Sequence, residues 1–308
     1  MTAFIIRRLL WTIPVLLLVI FLTFVLMRQI EGNPFRRSSR AVSPATQRNL
    51  ERKFNLDEPW YVQYALYVKG VFTFDLGPSL VTRDRTVNDI IKEHFPKSLE
   101  LGLLAFVWAI VLGIPMGVIA ALRQNSAYDY GLMFLSNVGY AVPSFLVATL
   151  LIYYVSLKAG LLPTNGWINW KYKILPSFAL GLAPMAYFAR LVRGSMLETL
   201  QQDYIRTAKA KGLRWRRVVT VHALRNSLIP AVTAIAPLLG FIITGTFVIE
   251  IIFSIPGIGR YFITAVSSRD YSVVMGITVL TSVIIVIANL IVDILYGILD
   301  PRTRDART

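Results

Sequence analysis

The sequence predicts an all-α polytopic membrane protein with six transmembrane helices and a small, mostly helical extracytoplasmic segment between the first and second. Three observations carry that expectation. Six long stretches lack Asp, Glu, Lys, Arg and His, and a membrane helix needs about 20 apolar residues. Only 16% of the 308 residues are charged, against about a quarter in soluble domains, so the chain lacks the charge to cover itself in water. Proline and glycine recur inside the apolar runs, at Pro14, Pro115, Pro143, Pro184 and Pro237, where neighbouring helices in a bundle re-satisfy the freed backbone groups.

The runs are Leu9–Met27, Leu101–Leu122, Tyr130–Leu157, Ile174–Ala189, Asn226–Ile249 and Tyr271–Val292, the last continuing past Asp293 to Leu299. The first has the basic start of a signal peptide, Arg7-Arg8, but Met27 to Glu31 offers no small-residue cleavage pattern, so it is expected to remain as a span. Three domains follow: 1–30, a cytoplasmic N-terminus with helix 1; 31–98, the extracytoplasmic segment; and 99–308, the five-helix core with a loop at about 195–226. Orientation rests on the short loops. Arg190 to Arg225 carries nine Lys and Arg against Glu198 and Asp203, and Arg302, Arg304 and Arg307 follow the last run. By the positive-inside rule these segments, and both termini, face the cytoplasm. The long 28–97 segment is also basic, but the rule is weak for long translocated segments. The net charge of +15 is assigned to orientation, lipid and partner docking, since no nucleic-acid-binding motif occurs.

Within the outer segment, Ser43-Pro44 predicts a helix start, with Leu50 and Phe54 one turn apart. Asp57-Glu58-Pro59 restarts a helix bearing Trp60, Tyr64, Tyr67, Val68 and Val71 on one face. Thr86 to Asp89 resembles a capping box with Asp in the usual Glu position. This segment reads as a small helical cap packed on the outer membrane face, or as a docking surface for a soluble partner or part of a gate, and these readings are compatible.

Several chemistries are excluded. There is no Cys and only two His, His94 and His222, so thiolate sites and multi-His metal sites are absent. No G-x-x-x-x-G-K-[ST] loop for ATP and no H-E-x-x-H occurs. A transport subunit is left rather than an enzyme. Glu250 ends the fifth run and Asp293 lies in the sixth. A charge there costs about 2.5–3.5 kcal/mol on insertion scales, so it is either a structural hydrogen-bond acceptor or part of an ion relay, with Arg190 and Arg193 as candidate partners.

The most informative loop contains Asp203, Tyr204, Arg206, Thr207, Ala208, Lys211 and Gly212. Asp203 is expected to cap a helix beginning at Tyr204, and Gly212 to end it in a left-handed conformation. Thr207 and Ala208 would give the helix a small-residue face able to seat in a partner's cleft. A basic helix lying on anionic lipid is the plainer alternative.

This loop resembles the Glu-Ala-Ala-x3-Gly loop of ABC-importer permeases, with Arg206-Thr207-Ala208 and then Gly212. It departs at the Glu and again downstream, where His222 to Pro230 replaces the usual ending. Further fragments match in order: Asn55–Pro59, Asp75–Ser79, Ala189–Met196, Glu250–Gly259, Arg269–Tyr271, Asn289–Asp293 and Leu299–Arg302. Together they are similar to the first of two permease subunits in the binding-protein-dependent dipeptide/oligopeptide (peptide/nickel) family. The resemblance implies an inner-membrane subunit paired with a second homologous permease and two ABC ATPase subunits that hold ATP and Mg. An extracytoplasmic substrate-binding protein delivers the peptide. The chain itself is expected to bind no cofactor. The seven loop residues would couple to the ATPase. Gly257 and Gly259, with Pro256 and Glu250, would shape an outer-side turn supporting the binding-protein interface or a gate, or else a plain loop. The rivals are a stand-alone ion-coupled transporter using Asp293 and Glu250, a non-transporting structural subunit, and an importer of nickel chelates, glutathione or short sugars.

Overall fold

The computed structural model describes residues 2–29, 52, 55–82, 84–244 and 246–299, with side chains described except at 2–9, 236, 240, 241, 243, 244 and 292–299. The expected helix start at Ser43-Pro44, the pair Leu50 and Phe54, the side chains of Arg7, Arg8 and Asp293, and the tail from Asp300 therefore lie outside the described residues.

Among the described residues the elements are all helical. They are α1 (Thr2–Gln29), α2 (Trp60–Phe72), α3 (Val87–Leu122), α4 (Ala127–Ala141), α5 (Ser144–Lys158), α6 (Trp170–Leu200), α7 (Asp203–Ala210), α8 (Trp215–Ser227), α9 (Ile229–Thr244), α10 (Thr246–Ile252), α11 (Ile258–Ser268) and α12 (Tyr271–Leu299). Part of α5, Ile152–Lys158, and part of α8, Val218–Ala223, wind as π-helix. Four helices are long and apolar enough to cross a membrane: α1, α3, α6 and α12. The number reaches six if α4 with α5, and α8 with α9, each count as one bent span.

The third apolar run is thus not a straight helix. The chain turns by 105° between α4 and α5. Val142 sits in extended backbone at φ −80°, ψ 125°, and Pro143 precedes α5. A residue before proline is pushed out of the helical region, and the proline has no N–H to continue the ladder. The fifth run is also segmented, bending by 42° between α8 and α9 just before Pro230.

The chain forms two compact units, Met1–Ser98 with Pro256–Ile287, and Leu99–Ile255 with Ala288–Thr308. In the first, α2 packs on α1. Tyr64 Oη donates to the Leu17 carbonyl at 3.1 Å, and its ring meets Phe21 edge-on. Leu10, Trp11, Leu18, Leu22 and Leu26 of α1 are exposed, as expected of a face turned to lipid. The capping box forms at the start of α3: the Asp89 amide donates to Thr86 Oγ1, and the Thr86 amide donates back to Asp89 Oδ2, both at 3.1 Å. Asp thus fills the usual Glu position.

In the second unit, α3 and α6 approach through small residues. A methyl group added at Gly113 would lie 2.5 Å from the Met185 carbonyl oxygen. One at Gly117 would lie 2.5 Å from that of Ala189, and one at Gly181 2.5 Å from that of Ala105. Backbones can touch so closely only where a side chain is missing, the usual way helices associate in lipid. Asp129, in the first turn of α4, is buried and takes a two-pronged pair from Arg193 of α6, at 2.6 and 2.7 Å. Arg193 is thus engaged by Asp129, the acidic residue just before the third run. Arg190 stacks on Tyr140, 4.1 Å from its ring centroid.

Candidate functional site

The basic end of the second unit is built by the last turn of α6, by α7 and by α8. The chain leaves α6 through Gln201-Gln202 and re-enters helix at once. Gln202 occupies the cap position without a side-chain bond, and Asp203 is the first helical residue. Asp203 thus does not cap the helix as expected. Its carboxylate is 95% exposed, lies at the positive end of the short helix and pairs with Arg206 at 3.5 Å. The other end behaves as expected. Lys211 follows the helix, and Gly212 takes φ +75°, its amide donating to the Lys209 carbonyl at 2.9 Å. A left-handed residue there ends the helix, and glycine adopts it without steric cost.

Ile205 and Ala208 point inward. Both are buried, with Ala121, Met196, Val218, Val219 and Ala223, in one apolar cluster flanked by Leu197, Leu200 and Leu213. Ala208 is only 7% exposed, so it does not belong to an outward small-residue face. Thr207 remains exposed on the neighbouring face. Consecutive helical residues point about 100° apart, which separates Thr207 from Ala208. The helix is seated by its apolar pair and presents its polar side. That side carries Arg206, Lys209 and Lys211, all exposed.

Two contacts fix α7 to α8. Asn226 Nδ2 donates to Tyr204 Oη at 2.8 Å, and Lys209 lies 4.6 Å from the Trp215 ring centroid, a cation–π contact. Sequence reasoning singled out none of Ile205, Trp215 or Asn226. The spacing Ile205 to Ala208, i to i+3, was the available signal for the buried stripe. Beside Tyr204 lies a concavity of about 650 Å³, lined by Val221, His222, Arg225, Asn226, Leu228, Ile229 and Val232. Arg225 lines it, and Arg214, Arg216 and Arg217, earlier in the same stretch of chain, are exposed. Such a surface can dock an acidic partner with an apolar centre. Around α7 and α8 the arrangement offers no paired carboxylates and no nucleophile–base pair.

The first unit gathers the other candidate residues. Gly257 precedes α11 in extended backbone at φ −95°, ψ 177°, and Gly259 lies inside α11. The chain bends at Gly257 on its way into the helix, and the left-handed residue of this stretch is Ser254, at φ 53°. Pro256 and Ile258 are held by α3. His94 Nδ1 donates to the Pro256 carbonyl at 2.8 Å, and the Ile258 amide donates to Ser98 Oγ at 2.8 Å. Because a carbonyl only accepts, this contact places a proton on Nδ1. The His94 ring also stacks on Tyr261 at 4.1 Å.

Asp270 is buried and gathers the turn after Pro78. It accepts from the Ser79 hydroxyl, from the Leu80 amide at 3.1 Å and from the Val81 amide at 3.3 Å. The fragments Asp75–Ser79 and Arg269–Tyr271 thus meet through one carboxylate, with Ser79 and Asp270 191 residues apart in the chain. Glu250, in α10 of the second unit, is completely buried.

Against known proteins, the chain matches the family described as "Binding-protein-dependent transport system inner membrane component" over residues 113–305. The N-terminal membrane component of the same systems matches over residues 1–102. The chain is 47% identical over 305 residues to the dipeptide transport system permease protein DppB of Bacillus subtilis, covering 99% of this chain and 98% of that one. It is 45% identical to the oligopeptide transport system permease protein OppB of Haemophilus influenzae, covering 99% of this chain and all of that one. Among solved structures it is similar to a chain of the inward-facing MetNI methionine ABC transporter. The TM-score is 0.53 at 16% identity, over 66% of this chain and 95% of that chain; at that identity the likeness speaks for the fold alone. With both family matches spanning nearly its whole length, this chain belongs to the inner-membrane permease components of binding-protein-dependent ABC transport systems.

Proposed function

We propose that the chain is one of two permease subunits of an ATP-driven importer of di- or oligopeptides. It works with a second homologous permease, two ATPase subunits that bind ATP and Mg, and a substrate-binding protein on the outer face. Both termini and the α7–α8 end face the cytoplasm in this reading, and the α2 and α11 region faces outward. The observation that carries it is the full-length relationship to dipeptide and oligopeptide permeases at 43–47% identity.

Coupling falls to α7 in this proposal. Its apolar side, Ile205 and Ala208, is seated in the permease's own cluster, so a push on the polar side is passed to α6 and α8 as a rigid body. Asp203, Tyr204, Arg206, Thr207, Lys211 and Gly212 form or border the docking side. Ala208 supports it from beneath. The transmission needs no nucleotide site on this chain, because the partner ATPases supply the closing motion.

The test is uptake of labelled di- and oligopeptides into proteoliposomes holding the whole importer, with ATP on the ATPase side. Arg206→Glu reverses the charge at a side chain 76% exposed, so the fold and the permease pair persist. Uptake is expected to fall at least about tenfold as ATPase docking weakens. Normal uptake with Arg206→Glu sinks the coupling assignment. Peptide flux by this chain alone, driven by an ion gradient, sinks the importer reading itself.

A further inference from the structure

Two arginines of α6 lie one turn apart and take opposite directions. Arg193 reaches Asp129 in the first turn of α4, at 2.6 and 2.7 Å. Arg190 lies over the ring of Tyr140, at the far end of α4, with its guanidinium carbon 4.1 Å from the ring centroid.

The depth of Arg190 follows from its neighbours. Gly117 of α3 faces the carbonyl of Ala189, and the apolar run of α3 continues to Leu122. Those five further residues of helix span about 7.5 Å, so the Arg190 backbone lies inside the apolar zone rather than at its edge. An arginine at such a depth can snorkel back to water, but Arg190 goes the other way. A Cβ on Gly139, next to Tyr140, would lie 3.2 Å from Leu182 and 3.7 Å from Ala186. These residues are two turns and one turn back along α6, away from α7 and α8. Helical side chains lean toward the helix N-terminus, and Arg190 follows that lean onto the Tyr140 ring.

A cation held inside the apolar zone faces protein or water rather than lipid, and such residues mark ion or substrate paths. The helix that carries it is the most enclosed of the four long apolar ones, with 61% of its window buried against at most 33% in the others.

The donors left open suit a carboxylate. Stacking on Tyr140 uses the flat face of the guanidinium and leaves its edge. Nε is enclosed, but Arg190 as a whole is half-buried and Tyr140 is 54% exposed, so the stack lies at a surface and the terminal nitrogens form its open edge. Those nitrogens can take both oxygens of one carboxylate. Every unmodified peptide carries such a group at its C-terminus.

We propose that Arg190, its plane set by Tyr140, receives the C-terminal carboxylate of a peptide on its way through the permease. This rests on the importer reading above and names one contact on the path that reading requires.

The experiment is uptake into proteoliposomes holding the complete importer, with ATP on the ATPase side. Labelled trialanine and its C-terminal amide are compared, each at a concentration that saturates the substrate-binding protein by calorimetry, so that protein's own preference drops out. Wild type is expected to carry the acid about tenfold faster than the amide, the usual worth of a charge-assisted hydrogen bond, and Arg190→Gln should bring that ratio near one. Arg190→Lys keeps the charge without the fork and should lower the ratio about threefold; it is read in place of Arg190→Gln if that complex does not assemble. Tyr140→Leu frees the guanidinium and should also lower the ratio about threefold. A wild-type ratio near one overturns the proposal, as does a ratio that Arg190→Gln leaves unchanged while both peptides slow together. Recovery of acid uptake when Asp293→Asn is added to Arg190→Gln overturns it too, by pairing Arg190 with Asp293, whose side chain lies outside the described residues. Loss of the second permease from the complex in both Arg190 variants would place Arg190 at the interface between permeases, and overturns it likewise. No ATP-driven uptake of either peptide by wild type sinks the importer reading and this contact with it, whereas the outcomes read from the variants sink the contact alone.

Discussion

The two compact units differ in the balance of contacts that hold each together, although polar ties occur in the second as well, at Lys173–Glu100 and Trp108–Ser177. In the second, α3 and α6 meet where glycine removes the side chain, with Gly113, Gly117 and Gly181 each facing a carbonyl of the opposite helix. In the first, loops are tied by polar groups: Asp270 to the turn at 79–81, His94 to Pro256, and Ser98 to Ile258. The contrast follows the kind of segment joined, helix against helix in one case and loop against helix in the other. In lipid, apolar side chains gain little by leaving one apolar medium for another, so helices associate by close van der Waals contact. A loop region at the membrane's edge must satisfy backbone amides that no helix ladder covers, and buried carboxylates, hydroxyls and imidazoles serve that need. The difference predicts which substitutions hurt most, and where.

The sharpest way to break the close-packed unit is Gly117→Leu. A Cβ there meets the Ala189 carbonyl oxygen at 2.5 Å and Val192 Cβ at 2.9 Å. Neither atom is the tip of a flexible chain, so the helices must separate. Overpacking of this kind costs about 3 kcal/mol. The expected result is loss of monodisperse complex in detergent and a large fall in melting temperature. A variant that assembles and melts like wild type would show that α3 and α6 can part freely.

Asp129→Asn probes one of the polar ties of that unit, which also holds the Lys173–Glu100 ion pair and the Trp108–Ser177 hydrogen bond. It removes the charge facing Arg193, whose two-pronged bond at 2.6 and 2.7 Å becomes a single bond from the guanidinium cation to a neutral amide oxygen. Breaking one partner of a buried ion pair usually costs 3–5 kcal/mol. Arg193 is about a quarter exposed, so water recovers part of that, and about 2 kcal/mol is expected. The measurement is the melting temperature of the purified complex beside Arg193→Lys. That change should lose the fork but keep the charge, and fall between wild type and Asp129→Asn.

Much of the helix content was legible because apolar runs and caps are local. The box at Thr86, the restart after Pro59 and the left-handed stop at Gly212 depend on neighbours within four residues. What was not legible depended on depth or distance. Ala208 carries no mark distinguishing a small residue that faces a partner from one that fills its own core. Asp129 gave no sign of its ion pair, because Arg193 lies 64 residues away. The third run looked continuous because hydropathy does not see that the chain leaves the helix at Val142, ahead of Pro143, whereas it stays helical ahead of Pro176 and Pro184. Gly113 and Gly117 did carry a local signal: two glycines four apart in an apolar run are a helix-contact pattern.

The smallest expected effect belongs to the polar unit. Asp270→Asn keeps one acceptor oxygen but turns the other toward donors as an amide. Asp270 Oδ2 takes the Ser79 hydroxyl and the Val81 amide, and Oδ1 takes the Leu80 amide. After the change, at least one of these donors loses its acceptor. The Ser79 hydroxyl can rotate to accept instead, so the net cost is about 1 kcal/mol. The loss should be local. Amide hydrogen exchange should quicken at Leu80 and Val81, while amides of α3 around Gly117 keep their protection, since no shared side chain links the two places. If exchange instead rises equally at both, the polar ties at Asp270 do not act on their own turn alone, and the division between close-packed and hydrogen-bonded parts fails as an account of local stability.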